Sequence, residues 1–206
     1  MTPFQKTIKY CAIAFAVFLS INIIGGIIGA LASVSMIFES KNIAGETKNY
    51  TISKNITDLD IDISATELAI KTGENFFVES NHKYLSVKEK DGCLEISEKK
   101  PFGGFSTKGI KLIVTIPSGT VFNTANVETG AGTVYVQTLT ANNLNLSLGA
   151  GKADFENLYA ENYSKIDGGA GKLTVNNGSL ANLKLDMGIG KMNLRSKLLG
   201  NCEFDM

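Results

Sequence analysis

Beyond residue 130 the apolar positions of the chain fall two apart. Val134 and Val136, Ala153 and Phe155, Leu173 and Val175, and Met192 and Leu194 form one set of pairs. Leu144, Leu146 and Leu148 open a second set, continued by Leu183, Leu185 and Met187 and by Cys202, Phe204 and Met206. Tyr163 and Ile166 flank a looser place in that second set. Alternation with period two turns one face of an extended chain inward and the other to water, so each stretch predicts a short strand.

Turn residues punctuate the strands on a fixed beat. Gly130 and Gly132 return as Gly149 and Gly151, Gly169 and Gly171, and Gly188 and Gly190, at steps of 19, 20 and 19 residues. Asn143, Asn162, Asn182 and Asn201 keep the same steps. The extra residue of the middle step lies between Asn162 and Gly169, so both series carry it. A shared irregularity marks a true internal repeat, and a period near 20 marks a stacked architecture. Each unit reads as two short strands and two turns, with nothing to pack against alone. Stacking units about 4.8 Å apart pairs each strand with the ones above and below and joins the apolar positions into one core. The prediction is an all-β, single-chain β-solenoid (β-helix) of about 19–20-residue rungs. The glycines suit turns needing positive φ or close backbone approach, and the asparagines suit an amide ladder. An antiparallel sandwich gives no reason for the same Gly and Asn at fixed offsets.

Upstream the strands continue without the strict repeat. Leu59, Ile61 and Ile63 alternate with Asp58, Asp60 and Asp62, and Leu68 and Ile70 follow. Asp91-Gly92 predicts a hairpin between Leu85–Val87 and Leu94–Ile96. The run IKLIVTI at 110–116 is a strand ended by Pro117. These read as degenerate early rungs that cap the stack, since terminal units of a solenoid must differ.

Before the strands lies an uncharged run, 10–38. As a helix its 29 residues reach about 43 Å, beyond the roughly 30 Å hydrocarbon core. A cleaved signal peptide is the rival, given Lys6, Lys9 and Ala30-Leu31-Ala32, but its apolar stretch is longer than usual. The expected order is a short cytoplasmic N-terminus 1–9, a transmembrane helix 10–38, a linker 39–49 and an extracytoplasmic β-solenoid 50–206, regular over 130–206. Lys6 and Lys9 keep the N-terminus inside.

An N-terminal helix followed by ITDLDIDISATELAIKTG, DGCLEI, IKLIVTIPSGT and VETGAGTVYV resembles the bacterial putative-adhesin family, a domain of unknown function built as a β-solenoid. The resemblance covers about residues 50–206. It implies a surface location and a tie to envelope stress and surface interaction in Gram-positive bacteria, and it brings no catalytic residues.

Composition adds mostly exclusions. The 20 basic and 20 acidic residues balance, so nothing argues for nucleic acid. His82 stands alone in a polar stretch and reads as a surface residue; a metal site or a His-based acid–base pair has no second member. Asp58, Asp60 and Asp62 alternate along a strand, a solvated face rather than a loop that wraps calcium. Cys11, Cys93 and Cys202 follow no framework and read as unpaired. The outward residues Asp154, Glu156, Thr174, Asn176 and Asn193 make no close acidic pair. The sequence therefore predicts no enzyme, no metal and no cofactor.

One outward series carries chemistry. The residue after each Gly pair is Thr133, then Lys152, Lys172 and Lys191. In a registered stack the three ammonium groups line up as an anion-binding strip, set against the reading that long lysines splay into water. The basic loop 99–108, with two Phe around Gly-Gly, is either a membrane or partner contact or a hairpin tip. The functional expectation is a non-enzymatic, membrane-anchored surface protein that binds an anionic envelope polymer, lipid or membrane protein. The alternative is an envelope-stress regulator acting on a membrane partner. The register stops in mid-repeat on Phe204 and Met206, which predicts self-association through the open solenoid end.

Overall fold

The computed structural model describes residues 41–42, 44–53, 55–99, 105–106 and 109–205. The run 10–38, the short N-terminus, Cys11 and most of the loop 99–108 lie outside the described residues. Among the described residues no helix is long and apolar enough to cross a membrane.

The described chain is all strand and turn. In order it holds β1 (Lys41–Asn42), β2 (Ala44–Thr51), β3 (Asp58–Ile63), β4 (Glu67–Gly73), β5 (Phe77–His82), β6 (Leu85–Lys90), β7 (Cys93–Glu98), β8 (Phe105–Ser106) and β9 (Lys111–Pro117). It continues with β10 (Phe122–Val175), β11 (Gly178–Ala181), β12 (Leu183–Leu194), β13 (Lys197–Leu199) and β14 (Glu203–Asp205). β1 and β8 form a two-stranded sheet, and the remaining strands form one continuous sheet.

β10 runs 54 residues in extended conformation because it winds. Its segment 124–129 pairs in parallel with β3, and 134–136 pairs in parallel with β4. The chain turns between them at Gly130–Gly132, under the Ser64–Thr66 turn that joins β3 to β4. Later windings stack in the same sense: Ser164–Val175 on Leu183–Leu194, Leu158–Ala160 on Gly178–Leu180, and Lys184–Asp186 on Glu203–Asp205, all parallel. Successive windings pairing in parallel make a β-solenoid-like stack.

Each winding has three sides rather than the two predicted. A first side carries Leu144, Leu146 and Leu148 inward, and a second carries Ala153 and Phe155. A third, short side carries Leu158 and Ala160, with Leu139 and Ala141 above and Leu180 and Ala181 below. Apart from Ala181, these side chains close into one core, each at most 9% exposed. Fully burying an aliphatic side chain is worth about 1.5–3 kcal/mol, so this continuous core is the main cohesive term.

The one-residue irregularity resolves as a bulge. Tyr163 is the extra residue and points outward, while Ser164 takes the inward place of Leu183 and Ile166 that of Leu185. The expected pair of Tyr163 and Ile166 is thus corrected to Ser164 and Ile166. Buried Ser164 keeps its hydroxyl bonded, donating to the Ala181 carbonyl at 3.0 Å.

The N-terminal end closes differently. β7 lies parallel on β3 and β9 parallel on β4, but β6, β5 and β2 add antiparallel. The β6–β7 hairpin turns on Asp91 and Gly92, with φ of 51° and 79°. Two successive positive φ values match the twist of a tight hairpin.

Candidate functional site

The glycine corners come first, because they position everything beside them. A Cβ on Gly149 would lie 1.9 Å from the Gly130 carbonyl oxygen, and one on Gly169 would lie 2.4 Å from that of Gly149. A Cβ on Gly151, Gly171 or Gly190 would meet the carbonyl oxygen of Gly132, Gly151 or Gly171 at 2.0, 1.9 and 2.0 Å. Gly188 over Gly169 is looser, at 2.7 Å. Backbone therefore stacks on backbone at this corner, and only glycine fits. Gly132, Gly151 and Gly171 also hold φ of 132°, 139° and 142°.

Above Gly130 and Gly132 the column continues with Ser64 and Thr66, whose carbonyls stand 2.4 and 3.0 Å from the glycines' ideal Cβ positions. Ser64 N–H would face a further winding, but the Glu98 carboxylate takes its place. Oε2 accepts from Ser64 N–H at 2.9 Å, and Oε1 accepts from the Thr66 hydroxyl at 2.6 Å.

The lysines follow directly from the glycines. Lys172 stands opposite Lys191 in the parallel ladder, and Lys152 follows Gly151 one winding earlier. Lys152 forms an ion pair with Asp154. That contact holds the Asp154 carboxyl below the usual carboxylate range against the opposing effect of burial, with Thr174 and Lys172 adding to it. Lys172 and Lys191 make no ion pair within 4.0 Å among the described residues. The row is thus three cations and one carboxylate. The recess behind the corner, lined by Gly149, Gly151, Leu148, Ala153, Gly168 and Met187 among others, measures about 30 Å³. That is room for a water, not for an organic ligand.

Beside the row, the Tyr135 hydroxyl donates to Glu156 at 2.6 Å, which raises the phenol above its ordinary range. Thr174, expected in water, is 6% exposed, with Asn193 opposite it in the next winding. Its outward direction along the strand does not carry it to solvent.

The Asn series occupies a second corner. Asn143 Nδ2 donates to the Asn123 carbonyl at 3.2 Å and Asn182 Nδ2 to the Asn162 carbonyl at 2.8 Å, while Asn201 N–H donates to Asn182 Oδ1 at 3.1 Å. The bonds link adjacent windings, between side chain and backbone rather than amide to amide. Asn182 also supplies a positive φ of 46°. An amide-to-amide bond stands at a third corner that sequence reasoning missed. There Asn177 Nδ2 donates to Asn157 Oδ1 at 3.0 Å, Asn157 to the Gln137 carbonyl at 3.1 Å, and Gln137 Oε1 accepts from Thr72 N–H at 3.1 Å. The spacing of Asn157 and Asn177 was the available signal.

His82 departs from expectation most. It is 3% exposed, not a surface residue. Its Nδ1 accepts from Tyr84 N–H at 3.0 Å, and Nε2 lies 3.7 Å from Glu98 Oε1. Burial lowers its pKa, with Glu98 and a backbone hydrogen bond opposing.

Asp60 and Asp62 face outward and Asp58 is half-buried. Burial, then Glu95 and Asp62, raise the Asp60 carboxyl above its ordinary range. Among the described residues no group of three His, Cys, Asp or Glu side chains could hold a metal ion. Cys93 and Cys202 are free thiols; burial and then the carboxylates of Asp60, Glu95 and Asp58 push Cys93 away from the reactive thiolate.

The fold and its corners define a stacked all-β domain with a charged outer side. The chain belongs to the Toastrack DUF4097 family, whose pattern matches residues 47–202. No curated protein sequence matches it. Among solved structures it is similar to a putative cell adhesion protein from Clostridium sporogenes, at 12% identity and TM-score 0.45, over 76% of this chain and 99% of the other. It is also similar to a putative adhesin from Bacteroides fragilis, at 15% identity and TM-score 0.39, over 77% and 96%. A third is described as a putative lipid binding protein from Parabacteroides distasonis, at 14% identity and TM-score 0.30, over 81% and 98%.

Proposed function

We propose that this protein is a non-enzymatic, adhesin-like surface protein, tethered by 10–38, whose lysine row binds an anionic polymer of the cell envelope. The observation that supports this reading is the ladder register of Lys172 on Lys191, with Lys152 one winding before. Like charges directly opposite one another in a sheet are destabilising. Their positions about 4.8 Å apart suit a chain of repeating negative charges better than a single small anion. The recess beneath them has no room for an organic ligand, which supports the outer surface as the place of contact.

The test is binding of the full chain to a purified phosphodiester wall polymer, to vesicles of anionic lipid and to a neutral glycan, at low and high salt. Polymer binding that weakens with salt, and is lost when Lys172 and Lys191 become Ala, is the expected result. Binding unchanged in that variant, or equal for the neutral glycan, overturns the reading. Vesicle binding alone would move the ligand to the lipid headgroup. Capture of a membrane protein that depends only on 10–38 would favour a regulatory role instead.

A further inference from the structure

The chain's one histidine is buried at the cap of the stack, and both of its ring nitrogens face hydrogen-bonding groups whose roles are fixed. Tyr84 N–H can only donate, so Nδ1 is the acceptor at 3.0 Å and the neutral ring carries its proton on Nε2. Nε2 points toward Glu98 Oε1 at 3.7 Å. Glu98 in turn holds the Ser64 N–H and the Thr66 hydroxyl, the first members of the glycine-corner column. The imidazole thus sits between a two-residue turn, 83–84, and the carboxylate that ends the stack.

We propose that His82 is an acid-sensitive latch: protonation at Nδ1 sets a new donor against the Tyr84 N–H donor and opens the turn between β5 and β6. Two donors 3.0 Å apart repel, and the part-buried Tyr84 N–H is left facing a donor where it had an acceptor. The charged ring is drawn toward Glu98, where it competes with Thr66 for the same oxygen. The titratable groups facing the ring among the described residues are Glu98 on β7 and Tyr84 in the turn, whose ring meets His82 edge-on at 6.4 Å between centroids. β2 presents Ala44 opposite it, with no ionisable group at that register. The device is local, since the glycine-stacked windings below contain no histidine.

Burial lowers the pKa of His82 in the closed turn. The open turn therefore takes up a proton first as pH falls. Closure is fully favoured above the ordinary histidine range, near 6.5, and weakens as pH drops from there toward the lowered value. Below that value the loss levels off.

The test follows the single imidazole by NMR in the full chain between neutral and mildly acidic pH. It also follows exchange protection of the Tyr84 amide, normalised to intrinsic rates, with the Leu146 amide as internal control. The expected result is a titration midpoint below 6.5, with Tyr84 protection falling about tenfold per unit of difference between the open and closed midpoints while Leu146 protection holds. A midpoint at or above 6.5, or Tyr84 protection that does not change with pH, overturns the proposal. In Glu98→Gln the midpoint should fall further, because the opposing charge is gone; no movement would sink the assigned contact. In His82→Gln the pH dependence at Tyr84 should vanish, and its persistence would place the proton elsewhere.

Discussion

The windings from Phe122 to Leu194 and the cap from Ala44 to Pro117 meet the same demand, a closed stack of strand edges, in opposite ways. The windings meet it by repetition. Glycine carbonyls stand directly over glycines, apolar side chains over apolar side chains, and parallel register carries from one winding to the next. The cap meets it by exception. Its strands β2, β5 and β6 add antiparallel, and its interior admits Thr66, Ser80 and His82, each bonded to a specific partner. Repetition makes stability a matter of sterics at the corners. Exception makes it a matter of hydrogen bonds and protonation.

Corner sterics should produce the largest effect. Gly171→Ala places a Cβ 1.9 Å from a backbone carbonyl at φ of 142°, and is expected to cost about 3 kcal/mol or more in denaturant unfolding. Gly109→Ala, at φ of 78° with nothing within 4 Å, should cost only about 1–2 kcal/mol. Equal losses would mean that the corners are not sterically set. Next comes the core along one inward column. Leu185 is 1% exposed and Phe204, its register partner, is 43% exposed. Leu185→Ala should lose about 2–5 kcal/mol and Phe204→Ala about 1 kcal/mol. A reversed order would show that the last winding is covered in solution.

A smaller effect of opposite sign is expected at Gly168. Its ideal Cβ meets Met187 Sδ at 3.3 Å, a side chain that can move, and its φ is not positive. Gly168→Ala should raise the melting temperature, by about 0.4–1 kcal/mol of stability, where Gly169→Ala next to it lowers it. The smallest effect concerns the charged row. Asp154 titrates below its ordinary range, so its contribution is present above about pH 4 and is lost as pH falls through the lowered value. Removing the ammonium in Lys152→Ala should move the Asp154 midpoint upward in a carboxyl NMR titration. An unmoved midpoint would assign the shift to Thr174 and Lys172.

The windings were legible in the sequence because stacking repeats one steric demand, and the Gly and Asn series record it residue by residue. The third side was not, since Leu139 and Ala141, or Leu158 and Ala160, are too short a run to show a period. Asn157 and Asn177 carried its signal and went unread. His82 was misread from its polar neighbours, although Val78, Ser80 and His82 keep the inward period of two along β5. Thr174 could not be read from its own strand, because what covers it belongs to adjacent windings. For the lysine row, the spacing was legible and the counter-charge of Asp154 was not, because an outward carboxylate two residues along a strand can equally stay solvated.

Because Gly149 lies over Gly169 as Gly169 lies over Gly188, these windings are interchangeable divisions of one stack. Excising 150–169 joins Gly149 to Ala170-Gly171 and leaves an intact corner, with Leu144, Leu146 and Leu148 set against Leu183, Leu185 and Met187. Length in this domain is therefore an editable quantity. A duplication or loss of one whole winding changes how far the chain reaches while leaving every local contact of a kind already present.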